Sequence, residues 1–270
     1  MKSRSDPPAF DITVSDTAIG TSLRHVAYGI YAWGALFVAV TPALLSLVVT
    51  PGRTRRRRVT RWFARAFFLS IGSPIRIEGE TVLPNSACIV VANHSSYLDG
   101  MILTAALPAR FTFVIKHEMA RYPFAGFLLR RIGSEFVKRE DGRQKNQVTR
   151  RLFKAAESGD ALAFFPEGTF NASPGLRRFQ PGAFAAARRA SLPVVPVVIF
   201  GARDKLPAQA WLPAPGALSI TIGEPIEPDQ HDSARGLLAA SRAAILARLD
   251  EPDLTDHGSG AGSGEPVSGR

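Results

Sequence analysis

One cysteine, Cys88, occurs in 270 residues. That excludes an internal disulfide framework and a cysteine-based zinc site. Cys88 lies in the apolar run 87–92, where a free cysteine reads as a small core residue. No Gly-x-Ser-x-Gly nucleophile motif is present. No internal repeat is visible. Acidic residues are missing from Thr17 to Ile77, a stretch that carries nine arginines. Charged residues make up only 21% of the chain and apolar ones 46%, which excludes a disordered chain of the charged-polar kind.

What is present is a chain of the size of one catalytic domain plus an accessory segment. Its 33 Lys and Arg against 23 Asp and Glu give a net charge of +10. Such an excess calls for an anionic partner: a membrane, nucleic acid, an acidic protein or a phosphorylated substrate. The charge is unevenly placed. Val26 to Thr50 is 25 residues without a charge, long enough as a helix to cross a ~30 Å hydrocarbon core with tilt. Gly29, Gly34 and Pro42 fall inside it, and Tyr28, Tyr31 and Trp33 cluster at its front as interfacial aromatics do. The run is too long for the apolar part of a signal peptide. Arg53, Arg55, Arg56, Arg57 and Arg58 follow. Then Val59, Trp62, Phe63, Ala66, Phe67 and Ile71 recur at helical spacing, opposite Arg58, Arg61 and Arg65. This is a basic amphipathic helix of the kind that lies against anionic lipid. The alternative is a soluble helix packed on its own domain. A nucleic-acid partner is disfavoured, because the charge adjoins the apolar run and no reader motif is present.

From residue 73 strands and helices alternate. Strands are expected over 75–78, 87–92, 111–115, 135–137, 161–165, 194–199 and 218–222, and helices over 98–106, 124–131, 146–157, 182–190 and 234–249. Pro196 marks 194–199 as an edge strand or one with a bulge. The pattern implies an α/β domain with a mixed, mostly covered sheet flanked by helices, preceded by an N-terminal membrane-associated two-helix segment. The expected divisions are a flexible start (1–23), a membrane anchor helix with the basic amphipathic helix (24–72), the domain (73–250) and a disordered tail (251–270) rich in Gly, Ser and Pro.

Three constellations could carry chemistry. Asn93-His94-Ser95-Ser96-Tyr97-Leu98-Asp99 joins a buried strand to an apolar helix. Five residues separate His94 from Asp99, which is 500° on a regular helix, so the pair meets only if His94 sits in the turn before it. Asp99 would then accept from Nδ1 and leave Nε2 free to take a proton. Phe164-Phe165-Pro166-Glu167-Gly168-Thr169-Phe170 ends a buried strand in a sharp turn, at the strand edge where α/β sheets bind ligands. Gly133-Ser134-Glu135-Phe136-Val137-Lys138-Arg139 delivers two cations suited to phosphate. Each alone also has an ordinary reading: a solvated loop histidine with Asn93 or Ser95 as helix N-cap, a turn glutamate in solvent, a basic turn paired with Glu140 and Asp141.

Taken together, and with Val194-Val195-Pro196-Val197, these blocks resemble in order and spacing those of the glycerolipid acyltransferase family, the lysophosphatidic acid and glycerol-3-phosphate acyltransferases. The resemblance runs from about Ile75 to Gly201, and the basic, apolar preface is similar to that of bacterial members. It implies transfer of a fatty acyl group from acyl-CoA or acyl carrier protein to the hydroxyl of a lysophospholipid such as 1-acylglycerol-3-phosphate. His94 would be the general base, oriented by Asp99, and no enzyme nucleophile is required. The resemblance further implies substrate contacts at Lys116, Gly133, Lys138, Arg139, Glu167, Gly168 and Thr169, with no metal and no cofactor beyond the acyl co-substrate. It also implies an anionic phospholipid membrane as partner, with the domain on the cytoplasmic face of the inner membrane, where the arginine cluster would hold it. One position departs: Phe170 stands where the family commonly has arginine. Arg177 and Arg178 are the candidates to replace that cation, and a different lipid acceptor is the alternative. A lipid or thioester hydrolase using the same His-Asp pair, and a non-catalytic membrane-binding module, are the rival readings.

Overall fold

The computed structural model describes residues 16–137 and 161–255. Lys138, Arg139 and the helix expected over 146–157 lie outside them. Two helices open the fold, α1 (Asp16–Val49) and α2 (Arg53–Ser70). There follow β1 (Ile75–Glu78), β2 (Ile89–Ala92), α3 (Asp99–Ala106), β3 (Phe111–Lys116), α4 (Pro123–Arg131) and β4 (Glu135–Val137). After the undescribed stretch come β5 (Ala161–Phe164), α5 (Gly182–Ala190), β6 (Val194–Phe200), the single turn α6 (Ala202–Lys205), β7 (Leu218–Ile222) and α7 (Ala234–Leu246).

The strands form one seven-stranded sheet in the order β1-β7-β6-β2-β5-β3-β4. Every neighbouring pair is parallel except β6 and β7, so β1 and β7 run against the other five. Period-2 alternation sorts the side chains onto two faces. Val90, Ala92, Ala161, Ala163, Val195 and Val197 join one buried cluster with Phe67, Phe68, Ile102 and Leu103 of α2 and α3. Ile89, Val91, Leu162, Phe164, Val194 and Val198 join another with Phe184 of α5 and Leu237 and Ile245 of α7. Both faces are therefore covered, as continuous apolar strands require. Cys88 is fully buried at the head of β2.

Four expectations are sharpened by the contacts. Of the two readings of Pro196, edge or bulge, the bulge holds: β6 lies inside the sheet, between β2 and β7. The ladder tolerates it because β7 bulges there. Val194 bridges Ile226 and Val197 pairs with Ile222, so two residues of β6 face three of the partner, and the Pro196 carbonyl accepts from Gly223 N at 2.8 Å. The proline's missing donor falls at that gap.

The two-helix preface packs onto the domain. Ala64, Phe67, Phe68 and Ile71 are core residues. The half-buried Arg61 and the exposed Arg65 donate to the carbonyls of Ala105 and Ala106 that end α3. Arg57 is buried and donates to Ile132 O at 2.9 Å and Thr112 Oγ1 at 2.6 Å.

The aromatics at the front of α1 hold the protein. Tyr28 Oη donates to Ile71 O at 3.0 Å, Tyr31 Oη to Ser70 O at 2.8 Å and Trp33 Nε1 to Trp211 O at 2.7 Å. Tyr28 Oη also accepts from Lys205 Nζ at 2.8 Å. Lys205 is fully buried and donates further to Ser73 Oγ at 2.6 Å and to the carbonyls of Ala214 and Gly216. At the other end of α1, Arg131 donates to the carbonyls of Leu47 and Val48. The helix is thus tied along the domain at both ends.

Residues 251–255, expected at the start of a tail, are built into the fold. Asp253 bridges Leu176, and Glu251 and Asp253 pair with Arg203 and Arg242.

Candidate active site

β2 and β5 are neighbours, paired through Val91 and Phe164. His94 lies three residues beyond the first and Glu167 three beyond the second, so both fall at the carboxyl edge of the sheet. The turn after β2 is held by side chains. Asn93 acts as an extra rung: its Nδ2 donates to Ile199 O at 3.1 Å and its Oδ1 accepts from Ile199 N at 2.8 Å. Ser96 Oγ donates to Leu206 O at 2.7 Å and accepts from Leu98 N at 3.1 Å. α3 then starts without a side-chain cap from Asn93 or Ser95.

Asp99, the first residue of α3, points back into this turn. Its Oδ2 lies 2.8 Å from His94 Nδ1 and accepts from Ser95 N at 2.6 Å and Ser96 N at 2.8 Å. The carboxylate is fully buried, and Oδ1 has no hydrogen-bond partner among the described residues. With Nδ1 donating to Asp99, the tautomer is set and Nε2 is the nitrogen left for a reacting group. The imidazole is clamped. It stacks on Phe165 at 4.3 Å between ring centroids and 19° between planes, and Phe170 leans on it at 4.5 Å. Tyr97 meets Phe170 edge-on at 4.8 Å.

Glu167 grips the same turn from β5. Its Oε1 accepts from His94 N at 2.6 Å and its Oε2 from Arg177 N at 2.8 Å. Burial is the main influence on its carboxyl and pushes it up to about 7, against the opposing pull of these two N–H groups. The next residue, Gly168, has φ 77 and donates to Phe165 O at 3.0 Å. This left-handed turn carries the chain away from the sheet and needs a residue without Cβ.

His94 opens onto an apolar cleft of about 490 Å³. Its walls come from α1 (Leu36, Val40, Leu44), α2 (Phe63, Phe67) and α4 (Leu129), with the small side chain of Ala163 on β5 leaving room beneath. Gly168, Thr169 and Phe170 line it near His94, and Lys116 lines it from the end of β3. Lys116 is half exposed, with Nζ 3.6 Å from Glu118 Oε1.

The structure therefore brings together His94, Asp99, Lys116, Gly168 and Thr169 of the residues singled out from sequence. Glu167 is placed differently: it is buried beneath the turn and binds backbone rather than facing the cleft. Gly133 does not line the cleft. It closes α4 with φ 76, donating to Arg130 O at 3.1 Å, and Arg53 and Arg57 pack over it. Arg177 contributes its backbone N–H to Glu167, and neither its side chain nor that of the exposed Arg178 lines the cleft. The clamping of His94 by Phe165 and Phe170 was not anticipated from sequence, where Phe170 stood out only as a departure from the family pattern. The available signal was the pair Phe165 and Phe170 flanking Pro-Glu-Gly-Thr. Cys88, whose thiol burial pushes up to about 11, sits in the core and is no nucleophile.

The chain as a whole is similar to known acyltransferases. A family profile described as Acyltransferase matches residues 74–200. The lyso-ornithine lipid O-acyltransferase of Pseudomonas aeruginosa is 34% identical over 231 residues, covering 85% of this chain and 80% of that protein. A 1-acyl-sn-glycerol-3-phosphate acyltransferase of Haemophilus influenzae is 29% identical over 201 residues, covering 72% of this chain and 82% of that one. Among solved structures, the 1-acyl-sn-glycerophosphate (LPA) acyltransferase PlsC of Thermotoga maritima superposes with a TM-score of 0.71 at 22% identity, over 84% of this chain and 95% of that one.

Proposed function

Because this chain belongs to the acyltransferase family, with relatives named for the acylation of lyso-ornithine lipid and of 1-acyl-sn-glycerol-3-phosphate, we propose that it uses His94 as the general base that moves a fatty acyl group from acyl-CoA or acyl carrier protein to a lysolipid hydroxyl. The observation that carries this reading is the His94–Asp99 pair, with 2.8 Å between Nδ1 and Oδ2, at the head of the apolar cleft. The acceptor hydroxyl gives its proton to His94 Nε2 while its oxygen attacks the thioester carbonyl carbon. The new C–O bond forms and the C–S bond breaks. The imidazolium, stabilised by Asp99, returns the proton to the departing thiolate. No residue is acylated. Phe165 and Phe170 fix the ring with its Nε2 free for the acceptor hydroxyl. The cleft suits a fatty chain, since its walls are almost wholly apolar.

The acceptor implied by the family is a lysophospholipid such as 1-acylglycerol-3-phosphate, with Lys116 as the cation nearest to hand among the described residues lining the cleft. Lys138 and Arg139 remain candidates from sequence. A second acceptor is favoured by one observation: Phe170, in place of the usual arginine, packs on the catalytic imidazole. An apolar residue there suits a headgroup without phosphate, and the Pseudomonas relative is named for a lyso-ornithine lipid.

α1 fits a membrane anchor. Its segment Ser22–Val49 has mean hydropathy 2.1 and is long and apolar enough to cross a membrane, with 17% of the apolar window buried by the protein. Leu23, Ile30, Phe37, Val38, Leu45 and Val49 are exposed. Because both ends are tied to the domain, we read it as a helix that embeds its outer face in an anionic bilayer, with the domain on the cytoplasmic side of the inner membrane. The deciding experiment is a matrix of donors and acceptors with the purified protein, read by mass spectrometry beside His94→Ala. The expected result is acylated lysolipid from the native protein and none from His94→Ala, which still floats with vesicles. Native-rate acylation by His94→Ala would overturn the assignment, and free fatty acid formed equally with and without acceptor would favour the hydrolase.

A further inference from the structure

Three consecutive residues, Gly175, Leu176 and Arg177, connect the far end of the described chain to the base of the site. Residues 251–255 run beside them. Leu176 N donates to Pro252 O at 2.9 Å and Leu254 N to Leu176 O at 3.1 Å, forming a parallel bridge. Glu251 Oε2 accepts from Gly175 N at 2.7 Å and from Arg203 Nη2 at 2.9 Å, while Arg203 Nε reaches Oε1 at 2.8 Å. The same guanidinium donates to Asn171 O at 3.1 Å. Arg242 clamps the Asp253 carboxylate with both Nη atoms and donates to Leu176 O at 3.0 Å. The two chains touch closely: Gly175 has φ 131, and a Cβ on it would lie 2.5 Å from Leu254 Cγ. The Arg203–Glu251 pair is largely shielded, with 14% and 19% of the two side chains exposed. Removing one partner would leave the other as a shielded, uncompensated charge, which costs more than breaking a solvated pair.

The next residue is Arg177, whose N–H holds Glu167, whose other oxygen holds His94 N at 2.6 Å. We propose that residues 251–255 are a strap that positions the catalytic base: Glu251 and Asp253 fix the loop 171–177, the loop fixes Glu167, and Glu167 fixes the turn that carries His94. The inference rests on reading His94 as the base. Glu251 touches no reacting atom, so it is a positioning residue. A base held by a stack of backbone hydrogen bonds has no slack of its own. A shift of about 1 Å in such a group costs on the order of 100-fold in rate. The strap also explains why a Gly-, Ser- and Pro-rich end begins with Glu-Pro-Asp-Leu. Those four residues supply a carboxylate, a fixed backbone angle, a second carboxylate and an apolar plug over Gly175.

The test uses the full chain in vesicles with the donor and acceptor that the native protein turns over. Glu251→Ala and a chain ended after Asp250 are compared with native protein, Glu251→Gln and His94→Ala, and kcat is expressed per folded molecule. The expected result is a loss of about 10- to 100-fold in kcat for the first two, with KM for both substrates changed by less than about twofold. Glu251→Gln, which keeps an oxygen for Gly175 N, should lie between. Native kcat per folded molecule in Glu251→Ala and the shortened chain would overturn the proposal, as would losses that only follow the fraction unfolded. Native turnover by His94→Ala would instead remove the catalytic reading on which the strap depends.

Discussion

Glu167→Gln isolates what the buried carboxyl contributes. In the folded protein the group is pushed from its ordinary 4.5 up to about 7, chiefly because burial penalises the charge. At ~1.36 kcal/mol for each tenfold change in proton affinity, that difference is on the order of 3 kcal/mol. The sign follows from linkage. The folded state binds the proton more tightly than the unfolded one, so this stabilisation is complete below about pH 4.5 and is lost as pH rises through 7. Glutamine has nearly the same shape and does not titrate. Its amide oxygen can serve one of the two N–H donors, His94 N or Arg177 N, and its NH₂ faces the other, at a cost of about 1–3 kcal/mol. The variant should therefore be less stable than native protein at pH 5, and the gap should narrow or reverse by pH 8. Urea unfolding in detergent at closely spaced pH values measures the difference directly. Parallel stability curves for the two proteins between pH 4.5 and 8 would refute the reasoning, because they would mean that Glu167 is ionised alike in both states.

Two further substitutions probe neighbouring groups. Asp99→Asn removes the charge that stabilises an imidazolium while keeping one oxygen for the turn. Steady-state kinetics should show kcat reduced about 10²- to 10⁴-fold with KM little changed, and a near-native kcat would argue against the dyad. Lys205→Met strips the donor shared by Tyr28 Oη, Ser73 Oγ and two carbonyls. It should destabilise the protein by at least about 2 kcal/mol and make the front of α1 a site of rapid proteolysis. Unchanged unfolding and cleavage would mean that this buried ammonium does not hold the helix.

Much was readable from the chain because local chemistry decided it. Apolar runs with period 2 or 3.6 produced strands and helices near their expected places, and the mixed, covered sheet follows from their alternation. The His94–Asp99 pairing was also legible, since a five-residue spacing across a strand-to-helix turn leaves one way for the side chains to meet. Function could be anticipated because the ordered blocks around His94, Gly133, Glu167 and Val194 resemble one family.

What the chain alone left open depended on partners remote in sequence. Arg61 and Arg65 read as a basic face, and only the fold shows that α3 ends beside them and presents carbonyls for them to bind. Tyr28 and Trp33 looked interfacial, yet their polar tips meet Ile71 and Trp211. The family resemblance implied that Glu167 is a substrate ligand. Register between β2 and β5 instead put it under His94, where two backbone N–H groups claim it. Residues 251–255 carry no periodicity at all, and only the loop beside them gives their carboxylates a purpose. Secondary structure comes from patterns within about a dozen residues, which sequence displays. The partner of a polar group is whatever the fold brings within 3 Å, and only the assembled sheet and its helices decide that.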